Sequence, residues 1–102
     1  MKPYKKLSGI PSDAKLSPYE IPGTLTWKAS LEYPPGAFFG LPYFVIYKDY
    51  RPEVNPHNYL FQLDTETETY SLIGSSGDMH AMWEKGMKLE KELREKLYPQ
   101  QF

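Results

Sequence analysis

DMHAMWEKGMKLEKELREKLY, residues 78–98, is the stretch whose spacing decides the fold. Its apolar residues Met79, Met82, Leu89, Leu93 and Leu97 recur in steps of three, seven, four and four, with Gly86 filling the gap on the same face. That period predicts a helix with one buried stripe. Glu84, Lys88, Glu92 and Lys96 follow one another at four-residue steps on the opposite side, with Glu90–Arg94 and Lys91–Glu95 as further pairs that support a solvated face. A helix with one apolar face needs something to cover, so the preceding residues should form a sheet.

Working back from the helix, Gly74-Ser75-Ser76-Gly77 releases the chain into it, and Ser76 or Asp78 is suited to cap its first turn. Before that lie two strand-like runs, Tyr59 to Leu63 and Glu68 to Ile73, joined through Asp64-Thr65-Glu66-Thr67 as a hairpin. Tyr43-Phe44-Val45-Ile46-Tyr47 has no polar alternate and reads as a central strand covered on both faces. From Thr24 to Tyr33 the chain alternates strictly, with Leu25, Trp27, Ala29, Leu31 and Tyr33 on one side, and Pro34-Pro35-Gly36 ends the run. The expectation is an α+β domain: about four antiparallel strands in one sheet, a meander, with a C-terminal amphipathic helix on one face.

Residues 1–22 carry Pro3, Pro11, Pro18 and Pro22, a spacing that permits neither a regular helix nor a central strand. They are expected to form a Pro-rich extended N-terminal arm ahead of a single domain over 23–102, with its sheet at 24–74 and its helix at 78–98. Leu7, Ile10, Leu16, Tyr19 and Ile21 are too apolar for a disordered tail, so the arm should dock, on its own domain or on another subunit.

With 102 residues the chain has room for one core. It has no Cys, which excludes a disulfide framework, a thiol nucleophile and any thiolate metal site. No apolar segment follows Lys2, Lys5 and Lys6 as a signal peptide would require, and the longest uncharged stretch, Ala37 to Tyr47, is about half the ~20 residues of a membrane span. An intracellular protein is expected. The net charge of −1 is uneven: five Lys against two acids in residues 1–28 give +3, and five acids against Arg51 in residues 49–77 give −4.

No pattern of catalytic residues emerges, and a non-enzymatic protein without a cofactor is expected. His80 and Glu84 lie one helical turn apart, but a metal site needs about three protein ligands, and the other His, His57, sits in a loop. The Gly74–Asp78 turn stands where phosphate is often held, yet it matches no phosphate-binding fingerprint, and Asp78 places a negative charge at the anion's position. The carboxylates cluster in the hairpin turn and on the wet face of the helix rather than across a cleft. Two interaction readings remain. In the first, apolar surface beyond what one sheet and one helix cover meets a protein partner or a second copy, through Tyr19, Trp27, Tyr33, Phe38 and Phe39. In the alternative, Lys2, Lys5, Lys6 and Lys15, interleaved with Tyr4 and Tyr19, contact nucleic acid.

Taken as a whole, a short Cys-free chain with nine Tyr and 10 Pro and a Glu/Lys-laced helix resembles the small orphan proteins of filamentous viruses of heat-loving archaea. That resemblance implies a structural or host-interacting role in the host cytoplasm and no particular activity. The hairpin and helix over Tyr59 to Leu93 are also similar to the end of a family of immunity and scaffold domains, whose flanking elements are not evident here.

Overall fold

The computed structural model describes residues 5–34, 40–49 and 56–99. Two short 3-10 turns, Leu7–Gly9 and Pro18–Glu20, precede β1 (Thr24–Lys28), β2 (Glu32–Tyr33), β3 (Leu41–Pro42), β4 (Phe44–Lys48), β5 (Asn58–Asp64), β6 (Thr69–Ser76) and the helix α1 (Met79–Leu97). The main sheet is antiparallel in the order β1-β4-β5-β6, and β2 pairs with β3 as a separate two-stranded ribbon. This is the α+β meander expected from the sequence, with the ribbon set between its first two strands. α1 is not long and apolar enough to cross a membrane, nor is any other helix among the described residues.

The sheet is a middle layer. β4 and β5 alternate between two cores: Phe44, Ile46 and Leu60 face α1, while Val45, Tyr59, Phe61 and Leu63 face the N-terminal residues. Both faces of β4 are therefore dry, which is why its sequence has no polar alternate. On the helix side the core is closed by Ala29, Leu31, Tyr43 and Met82, with Met79, Leu89 and Leu93 packed against it. On the other side it is closed by Leu7, Ile10, Leu16 and Ile21. Leu16 forms a backbone bridge to Tyr70, with N–H to O=C distances of 2.9 and 2.7 Å, which ties the segment to the outer edge of β6. The Tyr70 hydroxyl donates to the Pro42 carbonyl at 2.6 Å, which joins the main sheet to the small ribbon. At Gly23, φ is +91° and a Cβ would lie 2.8 Å from both Leu7 Cδ1 and the Lys48 carbonyl, so glycine is what allows the chain to enter β1 here.

Two details depart from the sequence reading. The alternating run Thr24 to Tyr33 is two strands, not one, and a bulge interrupts its phase: Leu25 pairs with Tyr47 and Trp27 with Ile46, leaving Thr26 as the extra residue. Leu25 consequently sides with Tyr47 on the N-terminal face, while Trp27, Ala29 and Leu31 serve the helix face. The Thr26 hydroxyl donates to the Ile46 carbonyl at 3.2 Å where the ladder is broken. The helix stripe also ends early. Leu97 is 41% exposed, and the residues of α1 packed against the helix-side core extend to Leu93.

Candidate functional site

β1 is one of the two edge strands of the main sheet, and among the described residues no strand pairs with its outer side. The bulge at Thr26 sets Trp27 on the helix face, where its six-membered ring lies against Gly86 so closely that a Cβ there would fall 2.7 Å from Cζ3. α1 begins beside the same strand. Asp78 caps it, with Oδ1 accepting from the backbone N–H groups of His80 (3.0 Å) and Ala81 (3.3 Å). Capping fixes the rotation of the first turns, and so places Met79, His80 and Trp83 towards β1.

Between strand and helix lies an open groove of about 480 Å³ lined by Thr26, Trp27, Met79, His80 and Trp83. Both tryptophans of the chain thus line one groove. Trp83 is 40% exposed and Met87, one turn further along α1, 46%. The polar groups are few. The Thr26 hydroxyl can still accept, and the His80 ring sits 6.1 Å from that of Trp83 with Nε2 3.0 Å from a Glu84 oxygen. The apolar surface continues along the strand edge in a second groove of about 220 Å³ formed by Leu25, Thr26, Trp27 and Lys28. An apolar cleft with a few polar groups on its wall is the ordinary form of a recognition site.

A carboxylate network holds the far end of this wall. Glu90 Oε2 accepts from the Leu31 backbone N–H (2.8 Å), the Ser30 hydroxyl (2.8 Å) and Arg94 Nη2 (3.0 Å), pinning the exit of β1 to the middle of α1.

The residues singled out from the sequence are scattered by the fold. Tyr19 projects from the Pro18–Glu20 turn at 95% exposure. Trp27 is a wall of the groove. Tyr33 is half-buried on β2, its ring edge-on to Tyr43 with centroids 6.2 Å apart, and so is turned towards the core. Phe38 and Phe39 lie outside the described residues, as does Lys2. Lys5 and Lys6 are exposed, whereas Lys15 is paired with Asp64 at 3.2 Å. The Gly74–Asp78 turn expected from the sequence is shorter than that: Gly74, Ser75 and Ser76 complete β6 opposite Leu60, Tyr59 and Asn58, and the helix-start donors that follow are occupied by Asp78. The His57 ring nitrogen Nδ1 sits 3.2 Å from the Asp49 carbonyl, in the connection from β4 to β5. Sequence reasoning missed Trp83 and Met87. Their signal was available as a second apolar row, Met79, Trp83 and Met87 at four-residue steps, beside the main stripe.

Set against models of protein families, curated proteins and solved structures, the chain has no match in any of the three comparisons.

Proposed function

We propose that this chain is a non-enzymatic interaction protein that receives a polypeptide partner in the groove between β1 and the N-terminal half of α1. One observation carries the reading: both tryptophans flank a single open groove, with Trp83 and Met87 left in contact with water. Burying an exposed large apolar side chain stabilises a complex by about 1.5–3 kcal/mol, and Trp is prominent among the few residues that dominate binding. A partner that covers this wall removes apolar surface the fold alone leaves wet. Nucleic-acid contact through Lys2, Lys5, Lys6 and Lys15 has less support, since Lys15 is already engaged with Asp64.

The test uses the full chain, isotopically labelled, titrated with three synthetic peptides: an amphipathic helix, an extended apolar segment and a Pro-rich segment. Self-association is followed in parallel by sedimentation. The expected result is a chemical-shift change centred on the Trp27 and Trp83 indole N–H signals, or their burial on self-association, lost in Trp83→Ala. If all three peptides leave those signals still and the protein stays monomeric at its highest soluble concentration, the groove is not an interaction site.

A further inference from the structure

A second cavity, of about 190 Å³, lies on the N-terminal face of the sheet, where β1 and β4 meet the β2–β3 ribbon. It shares no lining residue with the groove beside α1. Leu25, Leu41, Pro42 and Val45 give it apolar walls. A dry cavity of about 150 Å³ holds benzene, so there is room here for an apolar body of about six to nine heavy atoms.

The polar groups in its wall are few and unlike one another. Glu32 of β2 and Lys28 at the end of β1 are the two charged residues of the lining, and among the described residues neither side chain has an ion pair or hydrogen bond. Glu32 is half-buried, and its carboxylate lies against Gly40, where a Cβ would fall 2.9 Å from Oε1. Tyr70, also in the lining, gives its hydroxyl proton to the Pro42 carbonyl at 2.6 Å and so presents only lone pairs to the cavity. The Glu32 carboxylate and the Tyr47 phenol both act on Tyr70 and hold its proton more tightly, so these three groups converge. A half-buried carboxylate without a counter-ion is costly, and an ammonium group, with three donors and no acceptor, is its complement. Lys28 is exposed and supplies the opposite charge at the mouth.

We propose that this cavity binds a small zwitterion, a free amino acid whose ammonium group meets Glu32 and the Tyr47 and Tyr70 oxygens and whose carboxylate meets Lys28. Its apolar body rests on Leu41 and Val45. Both ends then make charge-assisted hydrogen bonds, the stronger kind. An amine without a carboxylate leaves Lys28 unpaired, and an acid without an amine leaves Glu32 unpaired, so the two charges in the wall select a ligand that carries both. The site is independent of the groove and does not rest on it.

Methyl-labelled full chain, titrated by NMR with leucine and with ε-aminocaproate, tests this. Isoamylamine and isocaproate, pentylamine and caproate serve as the amine-only and acid-only counterparts. One or both amino acids should shift the Leu41 and Val45 methyl signals saturably in the millimolar range expected of so small a ligand, while the Trp27 and Trp83 indole signals stay still. The counterparts should bind about tenfold more weakly or worse, as loss of a charged hydrogen bond implies. Glu32→Gln and Lys28→Gln should each weaken the amino acid by a similar factor. The first keeps the side-chain shape and the second changes an exposed residue, so both variants should fold, which their amide spectra will check. Methyl signals that neither amino acid moves would overturn the proposal. So would shifts confined to the indoles, an amine that binds as well as its amino acid, or binding indifferent to either substitution.

Discussion

Gly86 of α1 and Trp27 of β1 are in van der Waals contact so close that no side chain fits between them: a Cβ at position 86 would meet indole carbons at 2.7, 3.0 and 3.4 Å. The helix approaches the edge strand this closely because position 86 has no side chain. The groove inherits its inner wall from that approach.

Gly86→Ala should therefore destabilise the protein although it replaces the poorer helix former. Alanine gains about 1 kcal/mol over glycine in a helix interior. Overpacking against a rigid ring costs about 1–3 kcal/mol. Urea unfolding should show a net loss, and Trp emission should shift to the red as the indole is pushed outward. A more stable variant with unchanged emission would show that the ring yields freely.

Glu90→Ala removes the acceptor of the Leu31 backbone N–H, a group on a residue only 7% exposed. An unsatisfied buried donor costs about 1–3 kcal/mol. Glu90→Gln keeps an acceptor oxygen and should recover most of the loss in the same denaturation assay. Equal losses in the two variants would mean that charge, rather than the hydrogen bond to Leu31, holds this corner.

Leu16→Ala tests whether the N-terminal residues are part of the core. Leu16 is 3% exposed and packs with Val45, Phe61 and Tyr70. Truncating a buried leucine costs about 2–5 kcal/mol. A loss below about 1 kcal/mol in urea would show that the segment before β1 lies on the sheet without stabilising it.

Alkali should unfold the protein through its tyrosines. Burial pushes the Tyr70 phenol well above the ordinary value, helped by nearby Tyr47 and Glu32, and burial also raises Tyr43 and Tyr47. The folded state holds these protons more tightly than the unfolded chain, whose phenols titrate near pH ~10. Their contribution is whole below that pH and is lost as pH climbs from there through the raised folded values. Melting temperature should fall above pH ~10, and Tyr70→Phe should flatten the fall while lowering stability at neutral pH by about 1 kcal/mol through the lost bond to Pro42. An unchanged alkaline slope in that variant would place the titration elsewhere.

Much of the fold was legible in the residues. The helix expected over 78–98 runs from Met79 to Leu97, because an apolar row at helical spacing and a capping carboxylate are both local features. The strands around Phe44–Lys48, Asn58–Asp64 and Thr69–Ser76 were legible for the same reason. The bulge at Thr26 was not. A strict alternation of apolar and polar residues reads identically whether or not one residue drops out of the ladder, and only the pairing of Leu25 with Tyr47 and Trp27 with Ile46 turns Leu25 over.

The candidate site divides along the same line. Trp27 and Tyr19 could be singled out as large aromatics, but Trp83 was passed over, since its role depends on α1 lying beside the outer edge of β1. Sequence alone determined the helix, the main-sheet strands β4, β5 and β6 and which residues were apolar, since period and capping chemistry act over a few neighbouring positions. Only the tertiary structure decided which apolar residues were left over. Whether a side chain is covered depends on strands and turns distant in sequence, and here they cover Met82, Leu16 and Ile21 while leaving Tyr19, Trp83 and Met87 at the surface.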